Sequence, residues 1–496
     1  MKKTFIILTF LFVAVGLRAQ SSFGERPKLI VGIVVDQMRW DYLPRYYDQF
    51  GDGGFKRLLN EGYSYDNCLI NYVPTVTSIG HTSVYTGTTP AYHGICGNNF
   101  YLDGESAYCC SDKSVQPVGS DNQKAGCMSP RNLLATTIGD QLRLHTDFRS
   151  KVIGISYKDR AAIFPAGRGA NAAYWLDTKN RRFITSTYYM TELPAWVKEA
   201  NKKTEADPDF VRLGKDIGLS PACGHITTDM AIAALKGENL GRGLDTDMLC
   251  VSYSQTDVMG HKWGTRGVKA DSAYLELDKD IARLLTALDQ QVGRGQYLLF
   301  LAADHGAAHN YKFMQDHHFS AGQWRSDQVI PKINSILGDK YIKDIIDYRV
   351  FIDRKLCEAN DKDYEDIRDR IVSELKKEKD VIFAAAYEEL PQTAMPDLLR
   401  ERALRGYYPG RSGDIIFFPR PAYYEFGDYS SPTGTTHGLW NPYDAHIPMV
   451  FFGWHVPHGS SPRETHVTDF AATVCALLHI QQPNASIGEA LTFGQF

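Results

Sequence analysis

The chain has 496 residues, a length suited to one large α/β domain with insertions or to two domains, and it carries no repeat or low-complexity tract. With 43% hydrophobic and 23% charged residues it can bury a sizeable core, which excludes a disordered or fibrous chain. Its 54 Lys and Arg stand against 58 Asp and Glu, so the basic excess that holds a nucleic-acid backbone is lacking, and no stable nucleic-acid complex is expected.

From the amino end, Lys2 and Lys3 precede an apolar run from Phe5 to Val15 broken only by Thr9, and Ala19 is a small residue before Gln20. This reads as a secretory signal over 1–19, with 20–496 as the mature chain. No cysteine follows it to carry a lipid, and no later stretch reaches the roughly 20 apolar residues of a membrane helix. A periplasmic or secreted protein without a membrane anchor is the expectation.

Continuous apolar runs at 28–35, 151–155, 248–253, 297–302 and 447–452 suit strands of a parallel sheet buried on both faces. Between them lie amphipathic patterns such as 271–289, where Tyr274, Leu277, Ile281, Leu284 and Leu288 share one helical face. The alternation predicts an α/β fold with helices flanking a central, mostly parallel sheet. At about 340–430 the rhythm breaks: strand-like 349–352, a helix through Tyr364, Ile367, Ile371 and Leu375, then strand-like 381–386 and 415–418 predict a small α+β insertion. The stretch 396–412, rich in Arg, Gly and Pro, reads as loop. Nine scattered cysteines make no zinc motif and read mostly as buried small hydrophobes, with room for one or two bridges.

Three of the apolar runs end in metal-ligand residue types. Val35 is followed by Asp36, Ala303 by Asp304 and His305, and Tyr253 by Ser254, Gln255, Thr256 and Asp257, with His261 four residues on. Ligands of open α/β sheets bind where the carboxyl ends of strands converge. Three desolvated carboxylates would repel one another and stay protonated without cations, so the pattern predicts bound metal, and Asp with His suits zinc. For Asp36 alone the plain alternative is a helix cap. His437 is a further candidate, whereas His145, His309, His317, His318, His455 and His458 read as ordinary surface or core residues.

Residues 73–81 pass from a loop into a helix from 78 to about 85 closed by Gly87, which puts Thr77 at a helix N-terminus where free N–H groups favour an anion. Its hydroxyl would attack only if a divalent ion activated it; the alternative is a plain Thr cap. Lys158 and Arg160, two apart after a strand, would share a face if the backbone stayed extended, forming a cationic clamp for a phosphoryl group or else two solvated charges.

On these residues the sequence resembles the alkaline phosphatase superfamily and, within it, the phosphate-irrepressible (PafA-type) bacterial alkaline phosphatases. The motifs are Val34 to Arg39, Pro74 to Tyr85, His93 to Ile95 with Gly97, Asn98 and Asn99, the Lys158 and Arg160 pair, Ser254 to His261, Ala303 to Ala308 and Thr435 to Gly438. The resemblance implies one zinc held by Asp257, His261 and His437, and a second held by Asp36, Asp304, His305 and the Thr77 oxygen. It implies Thr77 as nucleophile, and Asn98, Lys158 and Arg160 as phosphoryl-binding groups, Asn98 being chosen over Asn99 by its place after Gly97. A Thr in place of a modified Cys or Ser argues against the sulfatase branch.

Formal charge separates the remaining branches. The four positive charges of two zinc ions cancel those of Asp36, Asp257, Asp304 and a Thr77 alkoxide, leaving Lys158 and Arg160 to offset a dianionic monoester. The expectation is therefore a broad-specificity phosphomonoesterase of small phosphate monoesters, releasing inorganic phosphate through a phosphothreonine. A nucleotide or lipid phosphodiesterase of the same superfamily is the alternative.

Overall fold

Strand β1 (Leu29–Val35) is buried at every position, which requires cover on both faces and neighbours on both edges. It lies at the centre of an eleven-stranded sheet. The other principal strands are β2 (Tyr63–Leu69), β3 (Val152–Ser156), β4 (Ala172–Asp177), β5 (Arg182–Ser186), β6 (Asp247–Tyr253), β7 (Tyr297–Ala302), β8 (Met449–Gly453) and β9 (Gly459–His466). Along the sheet they run β2, β8, β7, β1, β6, β3, β4, β5, with β9 beside β2. Strands β7, β1, β6, β3 and β4 are mutually parallel, while β8 runs antiparallel to β7 and β5 to β4. The computed structural model describes residues 25–494 except 103 and 428–432, so the signal expected at 1–19 lies outside the described residues.

The helix expected at 271–289 is the longer α4 (Val268–Gln291), and all five apolar residues that marked its face are buried. The run at 447–452 is corrected. Pro448 has no N–H to donate, and the segment divides into a short His446–Ile447 strand and β8, which is antiparallel.

A second core lies over an antiparallel sheet of four strands in the order Ile342–Ile346, Arg349–Ile352, Ile415–Pro419, Val381–Ala386. Helix Tyr364–Lys377 packs Ile367, Ile371 and Leu375 there, and helix Ser326–Leu337 adds Val329, Ile333 and Leu337. The loop reading of 396–412 is overturned over Asp397–Arg405, which is a helix burying Leu399, Arg402 and Ala403. Its Pro and Gly residues stand at the ends, where they delimit a helix instead of breaking it. All nine cysteines are free and eight are buried, with no bridge among them.

Candidate active site

Strands β7, β1, β6 and β3 are adjacent and end level with one another: Ala302 pairs with Val34, Val35 with Tyr253, and Ser252 with Ser156. Beyond those ends the chain reaches Asp304 and His305 from β7, Asp36 from β1, Asp257 and His261 on α3 (Gln255–Trp263) from β6, and Lys158 from β3. Parallel neighbours lie about 4.8 Å apart, so four consecutive strands place their terminal side chains within reach of one small volume. His437 enters from the loop that precedes β8.

Asp257 Oδ1 lies 3.1 Å from His261 Nε2 and 3.5 Å from His437 Nε2. His305 Nε2 lies 3.6 Å from Asp36 Oδ1 and 3.4 Å from Asp304 Oδ2. Two ligand atoms each about 2.0–2.1 Å from a tetrahedral zinc are about 3.3 Å apart, so these separations suit shared ions. Candidate atoms of Asp257, His305 and His437, and of Asp36, Asp304 and His305, each converge within 4.8 Å, so His305 faces both groups. Its ring stacks on that of His437, with centroids 3.5 Å apart.

The tautomers agree with that use. Nδ1 of His261, His305 and His437 bonds the carbonyls of Thr435, Gly306 and Thr75 at 2.9, 2.9 and 2.7 Å, which leaves each Nε2 lone pair facing the carboxylates. Asp36 Oδ1, Asp304 Oδ2 and His305 Nε2 are buried without a hydrogen bond. Orphaned polar atoms at this depth are costly, and a cation among them would satisfy all three. Burial holds the Asp36 carboxyl well above the usual range, helped by Asp257 and Asp304, and pushes His305 down to about 3, keeping it a neutral imidazole. Burial works against ionised Asp257 as well, but His261 and Lys158 outweigh it and its pKa is lowered.

Helix α1 (Thr77–Thr86) begins at Thr77 itself, one residue before the predicted start, with extended Val76 as its cap and left-handed Gly87 at its end. Thr77 is buried. Just upstream, Thr75 accepts from His437 Nδ1 and Gly438 N and donates to the Leu439 carbonyl, tying the helix entry to the His437 loop. One turn on, His81 Nδ1 bonds the Thr77 carbonyl at 2.9 Å and stands 3.2 Å from Asp304 Oδ2. Thr77 is thus bracketed by residues of both groups. Ser78 N donates to Asn98 Oδ1 at 3.1 Å, which leaves the Asn98 amide N–H groups for another acceptor.

Lys158 and Arg160 do not share an extended face. The strand ends at Ser156, Lys158 caps helix α2 (Asp159–Ala166), and Arg160 lies within its first turn. The two cations remain near enough for Arg160 to work against the Lys158 proton. Lys158 Nζ reaches Asp36 Oδ2 at 2.7 Å and Asp257 Oδ2 at 2.6 Å, one carboxylate from each group. Burial works against its charge, but those carboxylates outweigh burial and its pKa is raised. Arg160 Nη1 donates to the Tyr108 hydroxyl at 2.9 Å.

Sequence reasoning missed three supporting residues. Gln37, at a φ of 65°, donates from Nε2 to Asp257 Oδ1 at 2.7 Å and from its backbone N to Asp304 Oδ1 at 3.1 Å. His81 and Tyr108 are the others. The i,i+4 spacing of Thr77 and His81 was a usable signal, whereas nothing in sequence links Tyr108 to Arg160.

The model of the type I phosphodiesterase / nucleotide pyrophosphatase family matches residues 30–440. The sequence is 42% identical to alkaline phosphatase PafA of Elizabethkingia meningoseptica, over 98% of each chain. It is 44% identical, over 94% of each chain, to a Myroides odoratus protein named calcium-transporting ATPase. The crystal structure of wild-type alkaline phosphatase PafA matches with a TM-score of 0.90 at 42% identity, covering 94% of this chain and 98% of that one.

Proposed function

The chain belongs to the type I phosphodiesterase / nucleotide pyrophosphatase family and is a PafA-type alkaline phosphatase, a phosphomonoesterase, and on that premise we propose a two-zinc mechanism with a phosphothreonine at Thr77. Asp257, His261 and His437 would hold one zinc, and Asp36, Asp304, His305 and the Thr77 oxygen would hold the other. The observation that carries this reading is the trio of buried, unpartnered ligand atoms on Asp36, Asp304 and His305. Bound there, the ions would acidify the threonine hydroxyl and offset charge on the leaving oxygen.

Thr77 Oγ1 attacks phosphorus in line, the bond to the leaving oxygen breaks, and the phosphoryl group passes to the threonine. Asn98, Lys158 and Arg160 hold its non-bridging oxygens, Arg160 by parallel N–H bonds. Water then attacks the phosphothreonine, returning inorganic phosphate and the free hydroxyl. Little general acid is needed, because a loosely bonded phosphoryl transition state is stabilised mainly by positioning and charge.

Recognition limited to the phosphoryl end supports broad specificity. A nucleoside triphosphate also ends in an exposed, highly charged phosphoryl group, so ATP falls within the proposed range. The signal-like 1–19 supports export to the periplasm or medium, and a mature chain beginning at Gln20 in amino-terminal sequencing would test it.

The description of the matching family favours a second reading, hydrolysis of nucleotide diesters. Comparing kcat/KM for an aryl phosphate with that for its methyl diester decides between them. A larger value for the monoester is expected; a larger value for the diester overturns the assignment.

A further inference from the structure

The polypeptide leaves Asn98 into the strand Asn99–Leu102, which pairs antiparallel with Glu105–Tyr108 so that Asn99 faces Tyr108. The pairing is extended by Cys109 N, which donates to the Asn98 carbonyl at 2.9 Å. Tyr108 is therefore held at a fixed offset from Asn98. Its hydroxyl reaches α2, donating to Asp159 Oδ1 at 2.5 Å and accepting from Arg160 Nη1 at 2.9 Å.

A phenol has one proton, and here the directions are settled. Burial, helped by the Asp159 carboxylate, keeps the proton on Tyr108 against the pull of Arg160, so the phenol donates to Asp159 and its oxygen lone pair is left for the guanidinium. A guanidinium is planar, so fixing Nη1 and the side-chain stem fixes the plane. Arg160 Nε is buried without a hydrogen-bond partner, so the bond to Tyr108 leaves the Nε edge of the fork bare. That edge is suited to two oxygens of a phosphoryl group.

We infer that Tyr108 is a positioning residue for phosphoryl recognition, its hydroxyl setting the Arg160 guanidinium so that the Nε edge is presented to the substrate. This rests on the proposed phosphoryl-binding role of Arg160. Asn98 and Arg160 are thereby referred to one strand pair, although 62 positions separate them in the sequence.

A double-mutant cycle tests this, using Tyr108→Phe, Arg160→Ala and the pair, each with an aryl phosphate, its methyl diester, and inorganic phosphate titrated calorimetrically. Tyr108→Phe keeps the ring, and losing one hydrogen bond to a charged group should lower monoester kcat/KM and phosphate affinity about tenfold. In the Arg160→Ala background the same change should alter either quantity less than about twofold, as expected of coupled neighbours, and diester hydrolysis should hardly respond. Asp159→Asn, which weakens the phenol's acceptor, should give a smaller loss with the same dependence on Arg160. Equal fold losses from Tyr108→Phe in both backgrounds would overturn the inference. If Arg160→Ala alone leaves monoester hydrolysis and phosphate affinity unchanged, the assignment of Arg160 fails, and the two failures are distinguishable.

Discussion

Gly80 of α1 lies so close to the backbone of Asp304 that a Cβ on it would stand 2.1 Å from the Asp304 carbonyl oxygen. The helix that begins at Thr77 and the strand end that carries Asp304 are thus in direct backbone apposition. No rotamer change relieves contact with a carbonyl, so Gly80→Ala must push the helix away from Asp304. Overpacking of this sort costs about 1–3 kcal/mol, and a displacement near 1 Å at a reacting group lowers turnover roughly a hundredfold. A lowered melting temperature together with lost kcat is expected; an unchanged kcat would mean that the apposition does not set the position of Thr77.

Removing the attacking oxygen separates binding from chemistry. Thr77→Ala should abolish burst formation of a covalent phosphoryl-enzyme in rapid-quench experiments while phosphate affinity is retained. Thr77→Ser keeps a hydroxyl and should keep the burst. A burst persisting in the alanine variant would place the nucleophile elsewhere.

Lys158→Ala and Arg160→Ala are expected to lower kcat/KM for an aryl phosphate far more than for its methyl diester, because only the dianionic monoester needs both cations to offset its charge. For Lys158 the effect includes uncovering Asp36 and Asp257, whose oxygens it meets at 2.7 and 2.6 Å. Equal losses for both substrates would contradict the charge argument.

The central sheet was legible because parallel strands covered on both faces leave continuous apolar runs, and because ligand residue types directly follow Val35 and Ala303 and stand four residues after Tyr253. Strand direction was not legible: 447–452 looks like the others yet contains the antiparallel β8, since apolar content reports burial and not polarity. Strand β9, with the polar sequence GSSPRETH, offers no such run at all. The helix Asp397–Arg405 was obscured by its bounding Pro and Gly residues, and the extended reading of 156–160 failed because α2 starts immediately after Lys158. Tyr108 and Gln37 act through contacts made only in the folded chain, 52 residues from Arg160 in the first case and 220 from Asp257 in the second.

Metal removal carries a pH signature. Chelation should abolish hydrolysis and added zinc restore it. In the stripped protein Asp36 has a raised pKa from burial and its acidic neighbours, and His261 is raised because Asp257 outweighs the effect of burial. Each keeps its proton to higher pH than an ordinary group of its kind, and a metal must displace it, so zinc uptake measured calorimetrically in several buffers should release more protons in acid than in alkaline solution. Proton release that does not vary with pH would show that these groups are not the ligands.

Anomalous scattering at the zinc edge from crystals of the active protein tests the central claim most directly. Two peaks are predicted, one among Asp257, His261 and His437 and one among Asp36, Asp304 and His305 with the Thr77 oxygen beside it. A fully active protein giving no peak, or one peak away from these residues, would contradict the account.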